Sequence, residues 1–161
     1  MYDSEQSLLT VRLIQASDLV PRDFSGSLDP YCRLRLLPNQ KLQLQSKVQR
    51  KTRCPEFEEE FIFDVQQSDM GSRTLEILVF DFDQYSRDEC IGQVHMPLEH
   101  VELSRDPTFV CRAIMPYDDQ KQVWSVTRVW RSRGLRDSEV SQGSGVLEVY
   151  VTVECHKGLE F

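Results

Sequence analysis

Apolar and polar residues alternate along several short segments of the chain. This period of two is typical of β-strands with one buried face. In residues 146–154, for example, Leu147, Val149, Val151 and Val153 share one face. The pattern predicts seven or eight strands, with candidates at residues 8–16, 31–37, 44–49, 57–63, 75–79, 109–114, 123–130 and 146–154. Many short strands with little helix between them indicate an all-β sandwich.

Turn-forming residues separate these segments. Residues 21–30 and 131–145 have the composition of loops, and residues 49–55 form a basic turn. The apolar spacing in residues 97–103 predicts one short helical turn. The loops therefore carry most of the residues that can serve in binding.

Acidic residues are concentrated at the end of the strand at 75–79. They are Asp81, Asp83, Asp88 and Glu89. Carboxylates this close together repel one another at neutral pH unless a cation is shared between them, and ligands that are all oxygen suit a hard ion such as calcium. Two further aspartates, Asp23 and Asp29, lie in the earlier loop. The sequence thus predicts a cation site that draws on more than one loop.

Length and composition favour one compact domain over the 161 residues. No apolar run approaches the roughly 18 residues of a membrane span, and the polar start of the chain does not have the pattern of a secretory signal. The five cysteines are widely spaced without a C-x-x-C pair, so we expect a reducing compartment and neither a disulfide framework nor zinc.

The charge and motif content argue against two classes of function. The net charge of −7 disfavours a general nucleic-acid binder, because phosphate backbones require a basic surface. The sequence lacks a G-x-S-x-G elbow, a Gly-rich phosphate loop and an H-E-x-x-H motif, so we do not expect an enzyme.

Several motifs, in order, resemble the C2 domain, the calcium and phospholipid module known from protein kinase C and the synaptotagmins. The resemblance covers nearly the whole chain. It is carried by Ala16-Ser-Asp-Leu19 with Asp23, by Ser27-Leu-Asp-Pro-Tyr31, by Lys47-Val-Gln-Arg-Lys-Thr-Arg-Cys-Pro-Glu-Phe57, by Val79-Phe-Asp-Phe-Asp83 and by Cys90-Ile-Gly92. It implies an eight-stranded antiparallel sandwich that forms a single domain over residues 1–161, with its core at about 7–155. It also implies that this domain is part of a larger multidomain protein.

The resemblance also implies the ligands of two or three calcium ions. By position, the acidic ligands are Asp23, Asp29, Asp81, Asp83 and Glu89, with Ser86 as an auxiliary hydroxyl ligand. Calcium-binding relatives usually have Asp where this chain has Glu89. Either Glu89 reaches the ion with its longer side chain or the neighbouring Asp88 takes its place. The alternative is a set of solvated loop acids in a calcium-independent member of the family.

Two further surfaces follow from the resemblance. Phe24 and Tyr85 lie at loop tips, where relatives insert residues into the bilayer, although such a tip can also pack on its neighbour. Arg33, Arg35 and Lys47 coincide with a strand pair that contacts phosphoinositide headgroups in relatives of protein kinase C. A solvated sheet face is the alternative for these three cations.

The connectivity implied by the resemblance has one open point. Synaptotagmin-type domains begin with a strand before the one that matches residues 8–16, and only seven residues precede that strand here. Residues 146–154 can fill the empty position, which gives the circularly permuted, type II connectivity. The rival hypothesis is that they begin a second C2 domain.

We therefore expect calcium-dependent binding to anionic phospholipid membranes, containing phosphatidylserine or phosphoinositides, in exocytosis, vesicle trafficking or signalling. The expected location is cytoplasmic and peripheral to a membrane, with trafficking or membrane-fusion proteins as further partners and a monomeric isolated domain. The alternative is a calcium-independent module that docks proteins or phosphoinositides.

Overall fold

A computed structural model of the chain describes residues 6–21, 27–101, 108–115, 117 and 146–155, and it describes no side chains for residues 6, 7, 40 and 146–155. The strands are β1 (Gln6–Ser17), β2 (Pro30–Leu37), β3 (Asn39–Gln45), β4 (Glu56–Gln66), β5 (Thr74–Asp81), β6 (Glu89–Pro97), β7 (Thr108–Ala113) and β8 (Val146–Cys155). A four-residue helix, α1 (Gln67–Met70), follows β4, and a 3-10 turn (Leu98–His100) follows β6.

The strands form two four-stranded sheets. One has the order β4-β1-β8-β7 and the other has the order β3-β2-β5-β6. Every neighbouring pair is antiparallel. The all-β antiparallel sandwich predicted from the sequence is confirmed.

The core lies between the two sheets and is built from the alternating apolar positions. In β1 and β5 these positions have no solvent exposure at all. They are Leu9, Val11, Leu13, Leu75, Ile77 and Val79. Cys32, Leu34 and Leu36 point inward from β2, as the alternation predicted, and Arg33 and Arg35 lie on the other face. Phe57, Phe61 and Phe63 of β4 are also buried.

The last strand of the chain pairs with the first. The register of β8 on β1 extends from Ser7↔Cys155 to Ser17↔Val146, and β7 pairs with the other edge of β8. Of the two hypotheses for residues 146–154, this pairing agrees with the one in which they fill the empty position beside the first strand. The type II label for this connectivity stays a prediction.

Some predicted element boundaries were wrong. The strand expected at 44–49 is β3 at Asn39–Gln45, because Leu36 pairs with Asn39 directly after Pro38 and closes a tight hairpin. β3 is an edge strand that begins with polar residues, so the pattern of apolar residues did not indicate where it starts. The helical turn predicted in 97–103 is the 3-10 turn, whose Leu98 is buried. The short helix α1 was not predicted.

Some predicted features lie outside the described residues. They are the strand at 123–130, the loop at 131–145, Asp23 and Phe24. No helix within the described ranges is both long enough and apolar enough to span a membrane.

Candidate functional site

Three strand ends meet at one edge of the β3-β2-β5-β6 sheet. Asp29 directly precedes β2, Asp81 ends β5 and Glu89 begins β6. Asp81 is opposite Pro30 on one side and opposite Glu89 on the other. The antiparallel pairing therefore places acids from the first and third loops side by side.

Hydrogen bonds join the first loop to the end of β5. The backbone N–H of Asp29 donates to Asp81 Oδ1 at 2.9 Å, and the N–H of Phe82 donates to the backbone oxygen of Asp29 at 2.9 Å. This reciprocal pair fixes the distance between the two loops, so Asp29 and Asp81 form one rim.

Asp83 organises the turn that follows β5. Its Oδ1 accepts the backbone N–H groups of Tyr85, at 2.8 Å, and Ser86, at 3.2 Å. Its Oδ2 accepts the Ser86 hydroxyl at 2.7 Å. The Tyr85 N–H and the Ser86 hydroxyl lower the pKa of the Asp83 carboxyl below its usual value, because they stabilise the ionised form. Asp83 is therefore an anion held in a defined position.

Asp29 is bound on its other side by the basic turn that precedes β4. The backbone N–H of Lys51 donates to Asp29 Oδ1 at 2.8 Å, and Arg50 Nη1 donates to Asp29 Oδ2 at 3.3 Å. The Arg50 guanidinium also lies 4.7 Å from the centroid of the Phe82 ring. A protein cation therefore shares the rim with the acids.

Asp88 accepts hydrogen bonds from the sheet and from its own loop. The buried Tyr31 hydroxyl donates to Asp88 Oδ2, and the backbone N–H of Asp83 donates to Asp88 Oδ1 at 3.0 Å. Burial and the bond to Asp88 raise the pKa of Tyr31 to about 12. Both oxygens of Asp88 are thus occupied in bracing the third loop.

A stack of side chains supports Tyr31 from the outer face of the sheet. The Tyr31 and Phe80 rings are 5.4 Å apart and 14° from parallel. Arg33 lies 4.4 Å from the centroid of the Phe80 ring, and its Nη2 donates to the Tyr31 hydroxyl oxygen at 3.0 Å. Arg33 therefore stabilises the third loop indirectly, through the Tyr31 hydroxyl that binds Asp88.

The remaining predicted positions differ in exposure. Tyr85 is 91% exposed at the tip of the third loop, and Ser86 and Glu89 are also exposed. Within the ranges that the structure describes, no three His, Cys, Asp or Glu side chains are arranged to hold a metal ion. The donor chemistry nevertheless suits a hard cation, because the acids and Ser86 offer only oxygen ligands. A carboxylate oxygen that already accepts one hydrogen bond still has a second lone pair for a cation.

The cations predicted to contact phosphoinositides have different environments. Arg35 Nε pairs with Glu76 Oε2, and His95 Nε2 lies 3.1 Å from Glu76 Oε1. Burial by itself raises the pKa of Glu76, but the bonds to His95 and Arg35 outweigh burial and lower the pKa. The pair with Glu76 in turn raises the pKa of Arg35. Lys47 is exposed beyond β3.

Sequence reasoning missed three side chains of this region, Tyr31, Arg50 and Glu76. The alternation along β2 did contain a signal for Tyr31, because it puts this residue on the same face as the outward arginines. The contacts of Arg50 with Asp29 and of Arg35 with Glu76 join separate segments, which no local pattern encodes.

Comparison with known proteins gives a consistent result. The sequence model of the C2 domain matches residues 7–112. A synaptotagmin-1 of Aplysia californica is 44% identical over 104 residues, which cover 65% of this chain and 24% of that protein. Synaptotagmin-5 of Homo sapiens is 37% identical over 127 residues, covering 78% and 33%. The chain thus spans between a quarter and a third of the length of these relatives.

Two solved structures share the fold. A C2 domain of a plant extended synaptotagmin 1 superposes with a TM-score of 0.70 at 20% identity, covering 97% of this chain and 98% of that one. Human GIVD cytosolic phospholipase A2 superposes with a TM-score of 0.67 at 21% identity, covering 98% of this chain and 17% of that one. At these identities the likeness concerns the fold alone.

Proposed function

Because this chain belongs to the C2 domain family, we propose that it binds anionic phospholipid membranes in a calcium-dependent manner. The observation that carries the proposal is the contact between the first and third loops, in which the Asp29 N–H donates to Asp81 Oδ1 at 2.9 Å. Glu89 is opposite Asp81 on the next strand. Carboxylates from separate loops at one rim are the donor set that calcium requires.

The proposed ligands are the acidic side chains of this rim and its neighbours. They are Asp23, Asp29, Asp81, Asp83 and Glu89, with Ser86 as an auxiliary ligand. Between Asp88 and Glu89, we assign the ligand role to Glu89. Asp88 is anchored by the buried Tyr31 hydroxyl and by the backbone N–H of Asp83, so a move towards an ion would break the contact that joins the third loop to the sheet. Glu89 is exposed and is the strand residue opposite Asp81. Asp88 then keeps the third loop in shape.

The proposed switch is electrostatic. Acidic side chains at the loop edge repel anionic lipid headgroups. Bound calcium, at two or three ions, supplies about four to six positive charges and coordination positions that lipid phosphate can complete. The protein contributes a rim that is rigid on both sides, because Asp83 is held by its own turn and Asp29 by the turn at Lys51. We expect attachment to weaken as salt concentration rises.

The loop tips add an apolar contribution to this attachment. Tyr85 is almost fully exposed although it is aromatic. An amphipathic ring in that position suits the boundary between headgroups and acyl chains. Phe24 is the proposed second anchor.

Calcium-independent docking on the outer face of the β2-β3 strand pair has weaker support. Glu76 neutralises Arg35, and Arg33 is engaged with Tyr31 and Phe80. Lys47 is the most accessible of the three predicted cations. Membrane or protein binding that is unchanged by chelator and is lost in Lys47→Gln would favour this alternative.

The wider role is proposed from the relatives. Several of them are synaptotagmins, so we propose a module that attaches a larger protein to membranes in vesicle trafficking, acts at the cytoplasmic side as a peripheral membrane protein and contacts trafficking or fusion proteins. We propose a monomeric domain without enzymatic activity of its own.

Cosedimentation with phosphatidylserine liposomes tests the proposal. Wild-type protein should pellet with liposomes in about 1 mM calcium and stay in solution in chelator. Asp81→Asn with Asp83→Asn should abolish the calcium-dependent fraction. Glu60→Gln with Asp64→Asn removes the same charge from exposed positions of β4 and should behave like wild type. Equal pelleting in calcium and in chelator would refute the proposal.

A further inference from the structure

We infer that Arg50 is an intramolecular counter-ion that competes with calcium for Asp29 and thereby lowers the calcium affinity of the free domain. The inference rests on the proposed calcium site. It concerns the basic turn before β4, which contributes none of the proposed calcium ligands.

The contacts of Arg50 carry the inference. Its Nη1 donates to Asp29 Oδ2 at 3.3 Å, and its guanidinium stacks 4.7 Å from the centroid of the Phe82 ring. Phe82 follows Asp81 directly, and its N–H donates to the backbone oxygen of Asp29. Arg50 therefore bridges the same two loops that would share the ion.

The backbone of the turn keeps Arg50 in this position. Lys51 has a φ of 51°, in the left-handed region that non-glycine residues seldom adopt. Its N–H donates to Asp29 Oδ1 at 2.8 Å. Both oxygens of Asp29 thus accept hydrogen bonds from the same turn.

The pair is weak enough to exchange. The side chains of Arg50 and Asp29 are 59% and 29% exposed, and ion pairs this exposed are screened by solvent. A divalent ion bound by several carboxylates can displace a single guanidinium. Arg50 then remains at the rim without its acid, where it can bind a lipid phosphate, which Arg side chains bind with high geometric specificity.

Exchange of this kind couples calcium binding to lipid binding. If lipid phosphate holds Arg50 away from Asp29, it removes a competitor for the calcium site, so lipid raises the calcium affinity and calcium raises the lipid affinity by the same factor. Part of the gain in calcium affinity on adding anionic lipid should therefore depend on Arg50.

Calorimetry with matched variants tests the inference. Arg50→Gln should bind calcium more tightly than wild type in the absence of lipid, by up to about fivefold, the upper end of the range expected for loss of an exposed ion pair. Arg12→Gln removes the same charge and a similarly exposed ion pair, with Glu58 of β4, away from the acidic loops and should leave the affinity nearly unchanged. Arg50→Lys, which keeps the charge but loses the planar fork, should lie between wild type and Arg50→Gln. Phosphatidylserine vesicles should enhance calcium affinity less in Arg50→Gln than in wild type.

A measurement without calcium tests the contact between Arg50 and Asp29 independently of the proposed calcium site. In chelator, the Nε–Hε NMR signal of Arg50 should shift on Asp29→Asn, and in wild type it should move in the same direction as calcium is added. Equal calcium affinities for Arg50→Gln and Arg12→Gln would overturn this inference and leave the proposed function standing. An absence of calcium heat in wild type would overturn both.

Discussion

Tyr31 links the sheet to the third loop through one hydroxyl group. The hydroxyl accepts a hydrogen bond from Arg33 and donates one to Asp88, and Asp88 in turn accepts the backbone N–H of Asp83. A buried phenol with a charged acceptor is costly to disturb, because removing the donor leaves a carboxylate partly buried without its partner.

We predict that Tyr31→Phe lowers the free energy of unfolding by about 1.5–3 kcal/mol, as expected for the loss of a hydrogen bond to a charged group. The ring and its stack on Phe80 are kept, so the loss belongs to the hydroxyl. Urea denaturation at neutral pH measures it. Tyr85→Phe is the matched control, because Tyr85 is exposed, and it should be neutral.

The same hydroxyl predicts a pH dependence. Burial and Asp88 raise the pKa of Tyr31 to about 12 in the folded chain, whereas an unfolded tyrosine has a pKa of about 10. Between these values the unfolded state has lost the proton that the native state keeps. The contribution to stability is therefore complete below about pH 10 and is lost as the pH rises to about 12, at up to about 1.4 kcal/mol per pH unit. A Tyr31→Phe variant with the same alkaline slope as wild type would contradict this assignment.

At the scale of elements, the pairing of β8 determines the integrity of one sheet. β8 lies between β1 and β7 in the order β4-β1-β8-β7. Without it, β7 loses its partner in this sheet and β1 keeps one partner, β4. The family match, by contrast, ends at residue 112, so the matched range by itself is not a complete sandwich.

We predict that a chain ending at residue 112 does not fold cooperatively. The unpaired N–H and C=O groups along β1 and the uncovered core have no substitute for β8. Proton–nitrogen NMR spectra should be poorly dispersed, and thermal unfolding should show no sharp transition. A chain ending at residue 155 should retain the full transition. A well-dispersed spectrum from the shorter chain would show that β8 is dispensable.

At the scale of the whole molecule, the sandwich brings together charged side chains that are distant in sequence. Asp29, the turn at Arg50 and the loop after Asp81 meet at one edge because β2, β4 and β5 belong to the two facing sheets. The net charge of −7 makes this edge part of an acidic protein. Any bound cation should therefore stabilise the folded state relative to the unfolded chain.

We predict that calcium raises the melting temperature by about 5 to 10 °C when its concentration is about 100 times the dissociation constant. Selective binding to the native state then adds about 2.7 kcal/mol, and each kcal/mol shifts the midpoint by about 2–4 °C in a domain of this size. Differential scanning calorimetry measures the shift. Magnesium at the same concentration should produce a much smaller shift. The double substitution Asp81→Asn with Asp83→Asn should abolish the calcium-induced shift. A midpoint that is independent of calcium in wild type would contradict the proposed site.

Local sequence patterns were sufficient to predict the sandwich and most of its strands. Alternation is a local property, so Leu75, Ile77 and Val79 identified the buried face of β5 without tertiary information. The same information misplaced β3, because Leu42 and Leu44 are the only apolar residues among its seven and two positions do not define where a strand begins and ends. The acidic positions after β5 were also evident, because carboxylates close in sequence stay close in space.

The contacts that these acids make depend instead on the folded chain. The sequence left open whether Asp88 or Glu89 is the fifth acidic ligand, and it did not indicate that Asp88 accepts hydrogen bonds from Tyr31 and from the Asp83 N–H. It predicted Arg35 to be an available cation, yet buried Glu76 from a neighbouring strand neutralises it. It contained no indication that Arg50 reaches Asp29. The pairings of Tyr31 with Asp88, of Arg35 with Glu76 and of Arg50 with Asp29 depend on strand order and register, which bring together residues that are 21 to 57 positions apart in the chain. Local patterns contain no information about contacts at that separation.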